Sequence, residues 1–116
     1  MSSHKLDRIA SDMQKYISQI LLEEARDEFL KTITITSCKV SSDLGYAKIY
    51  FTSILDKDKK ELEKEMNEAS SFIRGRLSEK LDIRNTPELT FVFDDSIEYG
   101  KRIEDLIDKI HSKTDE

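Results

Sequence analysis

The fold is decided by residues 32–51, which read T-I-T-I-T-S-C-K-V-S-S-D-L-G-Y-A-K-I-Y-F. Residues 32–40 are mostly β-branched, and such residues pack well on a pleated surface, so they are predicted to form a strand. The turn residues 41–45, followed by alternating Ala47, Ile49 and Phe51, predict a second strand that returns antiparallel through a short hairpin. The apolar alternation changes phase between Ile35 and Cys38, which indicates either a β-bulge or burial on both faces near one end.

Amphipathic helices are predicted on both sides of this hairpin. Upstream, a helix is predicted over about residues 3–24, with Ser2 or Ser3 as its cap. Downstream, a helix is predicted from Asp58, which would form a capping box with Glu61. The apolar stripes are Leu6, Ile9, Ala10, Met13, Ile17, Ile20 and Leu21 in the first helix, and Leu62, Met66, Ala69, Ile73, Leu77 and Leu81 in the second.

The second stripe contains an interruption. Ser70 and Ser71 stand in its middle and Gly75 follows, and these residues are weaker helix formers than alanine. A kink, or a break into two helices, is therefore predicted near residues 69–71. The serines have no accompanying base and are interpreted as structural, not nucleophilic.

A third strand and a last helix complete the predicted order. Pro87 cannot donate to a ladder and is expected at the first position of a strand that runs to about Asp94. Asp95 and Glu98 predict a second capping box. A last amphipathic helix is predicted from Ile103, Leu106, Ile107 and Ile110. The class is α+β with the order α-β-β-α-(kink)-α-β-α, a single domain over residues 1–110 and a polar, disordered tail over residues 111–116.

The composition indicates a folded cytoplasmic protein. Apolar and charged residues each make up 37% of the 116 residues, which is polar but too apolar and periodic for a disordered chain. No apolar run approaches the roughly 20 residues that cross a bilayer, and the charged start is unlike a signal peptide. The single cysteine, Cys38, cannot form an internal disulfide, which fits a reducing compartment.

The charge is distributed unevenly. The net charge is −5, but residues 71–87 carry +2 and residues 88–116 carry −5. The local positive charge comes from Arg74, Arg76, Lys80 and Arg84. These residues predict either an ordinary solvated helix face or a cationic face that binds an anionic partner.

The sequence contains little that would indicate an enzyme. His4 and His111 stand near the two ends without cysteine or carboxylate neighbours at metal-ligand spacing. The only glycines are Gly45, Gly75 and Gly100, which excludes a P-loop and a dinucleotide-binding fingerprint. Asp94 and Asp95 could hold a metal, but they precede a predicted helix, so capping is the favoured interpretation. We expect no enzyme activity, no cofactor and no metal site.

Three blocks of sequence together resemble one known family. They are residues 32–51, the segment A-S-S-F-I-R-G-R-L over residues 69–77, and I-R-N-T-P-E-L-T-F-V-F-D-D-S-I-E-Y-G over residues 83–100. The motifs S-x-D-L-x-x-A-K-[IV]-Y and P-E-L-x-F-x-x-D-x-S are long and correctly spaced. The chain is thereby similar to bacterial ribosome-binding factor A, a cold-shock-associated assembly factor.

This resemblance implies a type II KH-like domain with a three-stranded sheet whose helices pack on one face. In the family, a kink of the form Ala-x-Gly replaces the G-x-x-G loop with which ordinary KH domains clamp single strands. Here the kink reads Ala69-Ser70-Ser71, so Ser71 stands in place of the family glycine. A serine side chain costs more than glycine at unusual backbone angles, and close approach of RNA at this position is in question.

The resemblance also implies a function. The family binds the free small (30S) ribosomal subunit and assists late maturation of its 16S rRNA, including 5′-end processing, without catalysis. The leading hypothesis places RNA-phosphate contacts at Arg74, Arg76, Lys80 and Arg84, with Lys39 and Lys48 on the hairpin as second choices. The partners are the subunit and its rRNA, ribosomal proteins being further candidates, and the expected state is a monomer that binds no membrane. The alternatives are a general KH-like RNA binder, or a protein adaptor that uses the acidic residues 94–116.

Overall fold

A computed structural model describes residues 3–96, and the predicted order of elements is confirmed there. Helix α1 spans Ser3–Gln19, and a π-helical turn over Ile20–Glu24 and a 3₁₀ helix over Glu28–Thr32 follow it. The later elements are β1 (Ile33–Val40), β2 (Tyr46–Ser53), α2 (Lys59–Glu68), α3 (Ser70–Lys80) and β3 (Glu88–Phe93). The predicted last helix, the Asp95–Glu98 capping box and the tail lie outside the described residues.

The sheet has β2 in its centre. Strand β1 is antiparallel to β2, and β3 is parallel to it on the other side. Ile35 lies opposite Phe51 and Ser37 opposite Tyr50, so Thr36 is a bulge residue without a partner of its own. The extra residue puts Ile35 and Cys38 on the same face, which confirms the predicted bulge and explains the change of phase.

The core lies between one face of the sheet and the helices, as predicted. Ile49 and Phe51 of β2 are fully buried, and the rings of Phe51 and Phe93 meet edge to face with centroids 5.8 Å apart. The helices contribute Met13, Ile17, Leu62, Met66, Ile73 and Leu77, all of them 0–1% exposed. Each such side chain contributes about 1.5–3 kcal/mol of burial free energy, so the docking of all three helices is driven by this face.

The predicted break between the helices occurs at Ala69. Its backbone angles are φ −88° and ψ 0°, and its N–H donates to the Met66 carbonyl at 3.1 Å in a tightened last turn of α2. Its carbonyl then accepts from the Ile73 N–H at 3.0 Å, which starts α3. Ser71 lies within α3, and Leu44 is the only non-glycine residue with positive φ in the described part of the chain. The kink therefore forms without a backbone angle that would require glycine at position 71.

Three details of the predicted elements were wrong. Regular α-helix ends at Gln19 and not near residue 24, because the Ala25 N–H reaches the Ile20 carbonyl in a wider turn. The capping box at Asp58 is absent: the Asp58 side chain makes no cap hydrogen bond and stays in solvent, while its carbonyl accepts from Leu62. Strand β3 begins at Glu88, one residue after Pro87.

Candidate nucleic-acid interface

A polar groove runs between α3, the segment 81–87 and β3. Its first part, about 380 Å³, is lined by Ser71, Arg74, Ser78, Arg84, Asn85 and Thr86 among others. Its second part, about 270 Å³, is lined by Ser70, Ser71, Arg74, Glu88, Leu89 and Thr90. Because the two parts share Ser71 and Arg74, they form one surface, here called the kink groove. Hydroxyl, amide and guanidinium groups dominate it, and these are the groups that bind phosphate and ribose oxygens.

Arg74 is fixed at the centre of the kink groove. Its Nε and Nη2 donate to the Thr86 carbonyl at 3.2 and 2.8 Å, and Nε also lies 3.2 Å from the Pro87 carbonyl. These bonds tie α3 to the segment that leads into β3. Guanidinium has five N–H donors, and Nη1 has no partner among the described residues, so a positioned positive charge remains available to a ligand.

Arg84 lies on the wall of the same groove. Its side chain is exposed, and it forms no ion pair or hydrogen bond with residues 3–96. An exposed guanidinium without a carboxylate partner can neutralise a phosphate at little cost. Arg74 and Arg84 are thus the two predicted site residues that the fold brings together.

Arg76 and Lys80, unlike Arg84, form ion pairs with other residues in the range 3–96. Lys80 Nζ lies 3.3 Å from one carboxylate oxygen of Glu24, and Arg76 Nε lies 3.9 Å from the other. Arg76 also approaches Glu79 at 3.7 Å and packs over the Phe72 ring. Part of their charge is neutralised within the protein, and neither residue lines the kink groove.

The outer edge of β3 forms another wall of the groove. Asn67 of α2 accepts from the Phe91 N–H at 2.9 Å and donates to the Phe91 carbonyl at 3.0 Å, while Glu63 accepts from the Phe93 N–H at 3.1 Å. Backbone groups on a strand alternate in direction, so Leu89 directs its N–H and carbonyl to the same outer edge. At Leu89 that edge borders the kink groove instead of α2.

The hairpin lysines lie elsewhere. Lys39 and Lys48 face each other across β1 and β2 on the sheet face opposite the core, and both are exposed. Sequence reasoning missed the groove residues Ser78, Asn85 and Thr86. No periodic pattern marks the segment 81–87, so nothing in the sequence indicated that it folds back onto α3.

The adjacent acids Asp94 and Asp95 each have a partner among the described residues. Asp94 accepts from the Ser96 N–H at 2.9 Å and from the Thr36 hydroxyl at 2.5 Å, and these bonds from Ser96 and Thr36 hold its pKa below the usual value. Asp95 lies 3.8 Å from Lys59. Within residues 3–96, no group of three histidine, cysteine or acidic side chains is placed to hold a metal.

No helix in this range has the length and apolar character to cross a bilayer.

These elements define a KH-like α+β domain in which a kink stands in place of the loop between the central helices. Among proteins of this class, the chain belongs to the ribosome-binding factor A family, whose model matches residues 5–107. A relative from Legionella pneumophila (strain Lens) is 42% identical over 108 residues, which cover 92% of this chain and 87% of the relative. The relative from Ligilactobacillus salivarius is 39% identical over 115 residues, 97% of each chain. Both are named ribosome-binding factor A.

Solved structures show the same fold. The crystal structure of ribosome-binding factor A from Thermus thermophilus matches 76% of this chain and 93% of its own, with a TM-score of 0.67 and 14% identity. A Thermus thermophilus ribosome-binding factor A model fitted into a cryo-EM map of a 30S complex matches 78% of this chain and 96% of its own, with a TM-score of 0.63 and 13% identity. The predicted family and fold class are confirmed.

Proposed function

We propose that this protein is a small-subunit assembly factor, acting in the cytoplasm, that binds the free 30S ribosomal subunit and assists late 16S rRNA maturation, including 5′-end processing. It does so by binding and without catalysis. The observation that carries the proposal is the kink groove, where Arg74 and Arg84 stand among hydroxyl and amide donors. Family membership, and the 30S complex described for the Thermus thermophilus protein, support the choice of partner.

The groove chemistry fits an RNA backbone. Arg74 is held by two carbonyls and offers a positioned donor, and Arg84 supplies a second charge on the same wall. Phosphate contacts position a protein without reading bases, so selectivity for the subunit comes from the shape of the folded RNA. The outward backbone groups of Leu89 could pair with one unstacked base, as a neighbouring strand would.

Such a protein can assist maturation without chemistry. A ligand shifts a conformational equilibrium by its differential affinity for the two states. If the kink groove fits the mature arrangement of the rRNA better than the precursor arrangement, binding raises the population of the mature form. Processing enzymes then act on that form.

Affinity for the small subunit, measured across a salt titration, tests the groove. Arg84→Gln should weaken binding and reduce the slope of log affinity against log salt by about 0.7–0.9, because one phosphate contact is lost. Arg8→Gln on α1, the same change at an exposed site away from the groove, should leave both unchanged. Double replacement of Arg76 and Lys80 by Gln should have a smaller effect than Arg84→Gln, since Glu24 already neutralises part of their charge. Equal affinity and slope in wild type and Arg84→Gln would refute the assignment.

The role in maturation has a separate test. Sucrose-gradient sedimentation of cell extract should place the protein with free small subunits, and its removal should cause unprocessed precursor rRNA to accumulate. Purified protein should show no nuclease activity. A nuclease activity abolished by Asp94→Asn and Asp95→Asn would overturn the non-catalytic role.

A further inference from the structure

On the sheet face opposite the core, Tyr46 and Lys48 of β2 are exposed and Tyr50 is half-buried. Tyr46, Lys48 and Tyr50 alternate on this face, while the residues between them are buried on the other. A shallow depression of about 450 Å³ follows these side chains and includes Lys39 and Thr90. None of its lining residues is acidic. This surface is here called the tyrosine face.

The two lysines of the tyrosine face are unfavourably placed for stability alone. Lys39 and Lys48 are direct partners across the antiparallel pair of β1 and β2, where like charges destabilise a sheet. Neither forms an ion pair with any carboxylate of residues 3–96. Two adjacent, uncompensated cations on a sheet suit an anionic ligand that supplies the missing charge.

The tyrosines add a second, independent feature. Tyr46 is 62% exposed, although a large aromatic side chain in a strand normally packs against a neighbour. The Tyr50 ring lies 5.8 Å from Lys39 Nζ, so aromatic surface and positive charge adjoin each other. Exposed aromatic rings beside lysines are the arrangement on which unpaired nucleic-acid bases stack while their phosphates are neutralised. An acidic peptide would use the lysines but would gain little from the rings.

The tyrosine face is also continuous with the kink groove. Thr90 of β3 borders both depressions, and its neighbour across the sheet is Lys48. A single strand held at Arg74 can therefore pass over β3 and reach Tyr46 and Tyr50 without leaving the surface. We propose that the tyrosine face binds unpaired RNA nucleotides by stacking on Tyr46 and Tyr50, with Lys39 and Lys48 on the phosphates. This inference rests on the proposed RNA-binding function and extends its site.

Binding of a fluorescein-labelled oligoadenylate of roughly eight nucleotides, within the range bound by such surfaces, tests the inference by anisotropy. Tyr46→Leu and Tyr50→Leu should each weaken binding about 5- to 100-fold, the effect of losing one stacked base. Tyr46→Phe keeps the ring and should bind within about two-fold of wild type. Lys48→Gln should reduce the salt slope by about 0.7, whereas Lys64→Gln, an exposed lysine on α2, should not.

Tyrosine emission gives a direct readout, because the chain has four tyrosines and no tryptophan. Stacked bases should quench the emission of unlabelled protein, and the double variant Tyr46→Phe with Tyr50→Phe should lose that quenching while still binding. Equal oligonucleotide affinity in wild type, Tyr46→Leu and Tyr50→Leu would overturn the inference, even if Arg84→Gln still weakens binding. Displacement of the RNA by oligoglutamate of equal charge would overturn it too, because charge alone would then explain binding. If wild type binds neither the oligonucleotide nor the small subunit, the proposed function itself fails.

Discussion

Burial sets the chemistry of the one cysteine. Cys38 lies on the core face of β1, partly buried, and desolvation raises the pKa of its thiol from 9.0 to about 12. A thiol with so high a pKa remains protonated at any physiological pH, and only the thiolate is nucleophilic.

Cys38 should therefore react slowly with a disulfide reagent. At pH 8 the folded protein should be modified at least about 100-fold more slowly than the chain unfolded in denaturant, because its thiolate population is that much smaller. The reagent releases a coloured thiolate as it reacts. The rate of that release, measured with the folded and with the unfolded protein, gives the ratio of the two reaction rates. Similar rates would show that the thiol is not desolvated.

The hydrogen bond between Thr36 and Asp94 is a second feature that depends on single residues. Sequence reasoning expected a capping role at the end of β3. Asp94 accepts from the Ser96 N–H, and the helix that it would cap lies outside the described residues. The partner at Thr36 is 58 positions away and depends on the bulge, so no local pattern could have revealed it. Both bonds favour the charged carboxylate and lower the pKa of Asp94.

The pKa of Asp94 should respond to its partner. Because the folded pKa lies below the unfolded value, the stabilisation is present above about pH 4 and is lost as pH falls through the folded pKa. Thr36→Val should raise the pKa of Asp94 toward its ordinary value and reduce the acid-dependent loss of melting temperature. Carboxyl carbon titration by NMR measures the shift. Thr34→Val, an exposed threonine on the same strand, should leave the titration unchanged.

At the scale of elements, sequence patterns predicted those features that depend on neighbouring residues in the chain. The bulge and the helix break were predicted from a change of phase and from weak helix formers, and both are present. The 3₁₀ helix after α1 was missed, although Asp27 accepts from the Phe29 N–H in a short-range turn. The parallel pairing of β3 with β2 depends on how α2 and α3 cross over the sheet. That packing involves many residues together, so no single stretch of sequence predicts it.

The edge of β3 shows how one helix protects one strand. Asn67 pairs with both backbone groups of Phe91, as a neighbouring strand would. Asn67→Leu should lower the free energy of unfolding by about 1–3 kcal/mol, because these partly buried groups lose their partners. Urea unfolding measures the change. Lys64→Leu, an exposed change on the same helix, should stay within about 0.5 kcal/mol of wild type.

At the scale of the whole molecule, charge is organised by folding more than by sequence. Arg74 and Arg76 are two positions apart, so helical geometry alone could have placed them on different sides of α3. Their partners could not be read from the sequence: Glu24 comes from the end of the first helical segment, and the Thr86 carbonyl from an irregular segment. The four predicted cations thus divide into a groove pair and an ion-paired pair.

One core joins these elements, and its integrity has a simple matched test. Leu62 is 1% exposed beneath the sheet, whereas Leu22 is 65% exposed. Leu62→Ala should lower the free energy of unfolding by about 2–5 kcal/mol through lost burial and the cavity left behind. Leu22→Ala removes the same atoms from a solvated site and should change it by no more than about 0.5 kcal/mol. Comparable effects of the two changes would mean that the layer around α2 is not a packed core.

The bulge at Thr36 also determines how the chain can vary in length. If the strand alternated strictly through Thr36, Cys38 and Val40 would turn toward water and Lys39 toward the apolar interior. Removal of Thr36 would instead leave a regular strand with the present pairs, Ile35 opposite Phe51 and Ser37 opposite Tyr50. The strand can therefore lose this one residue without exchanging its two faces, because the bulge already absorbs an odd number. The bulge, more than the identity of any amino acid in this short stretch, keeps Lys39 on the outside.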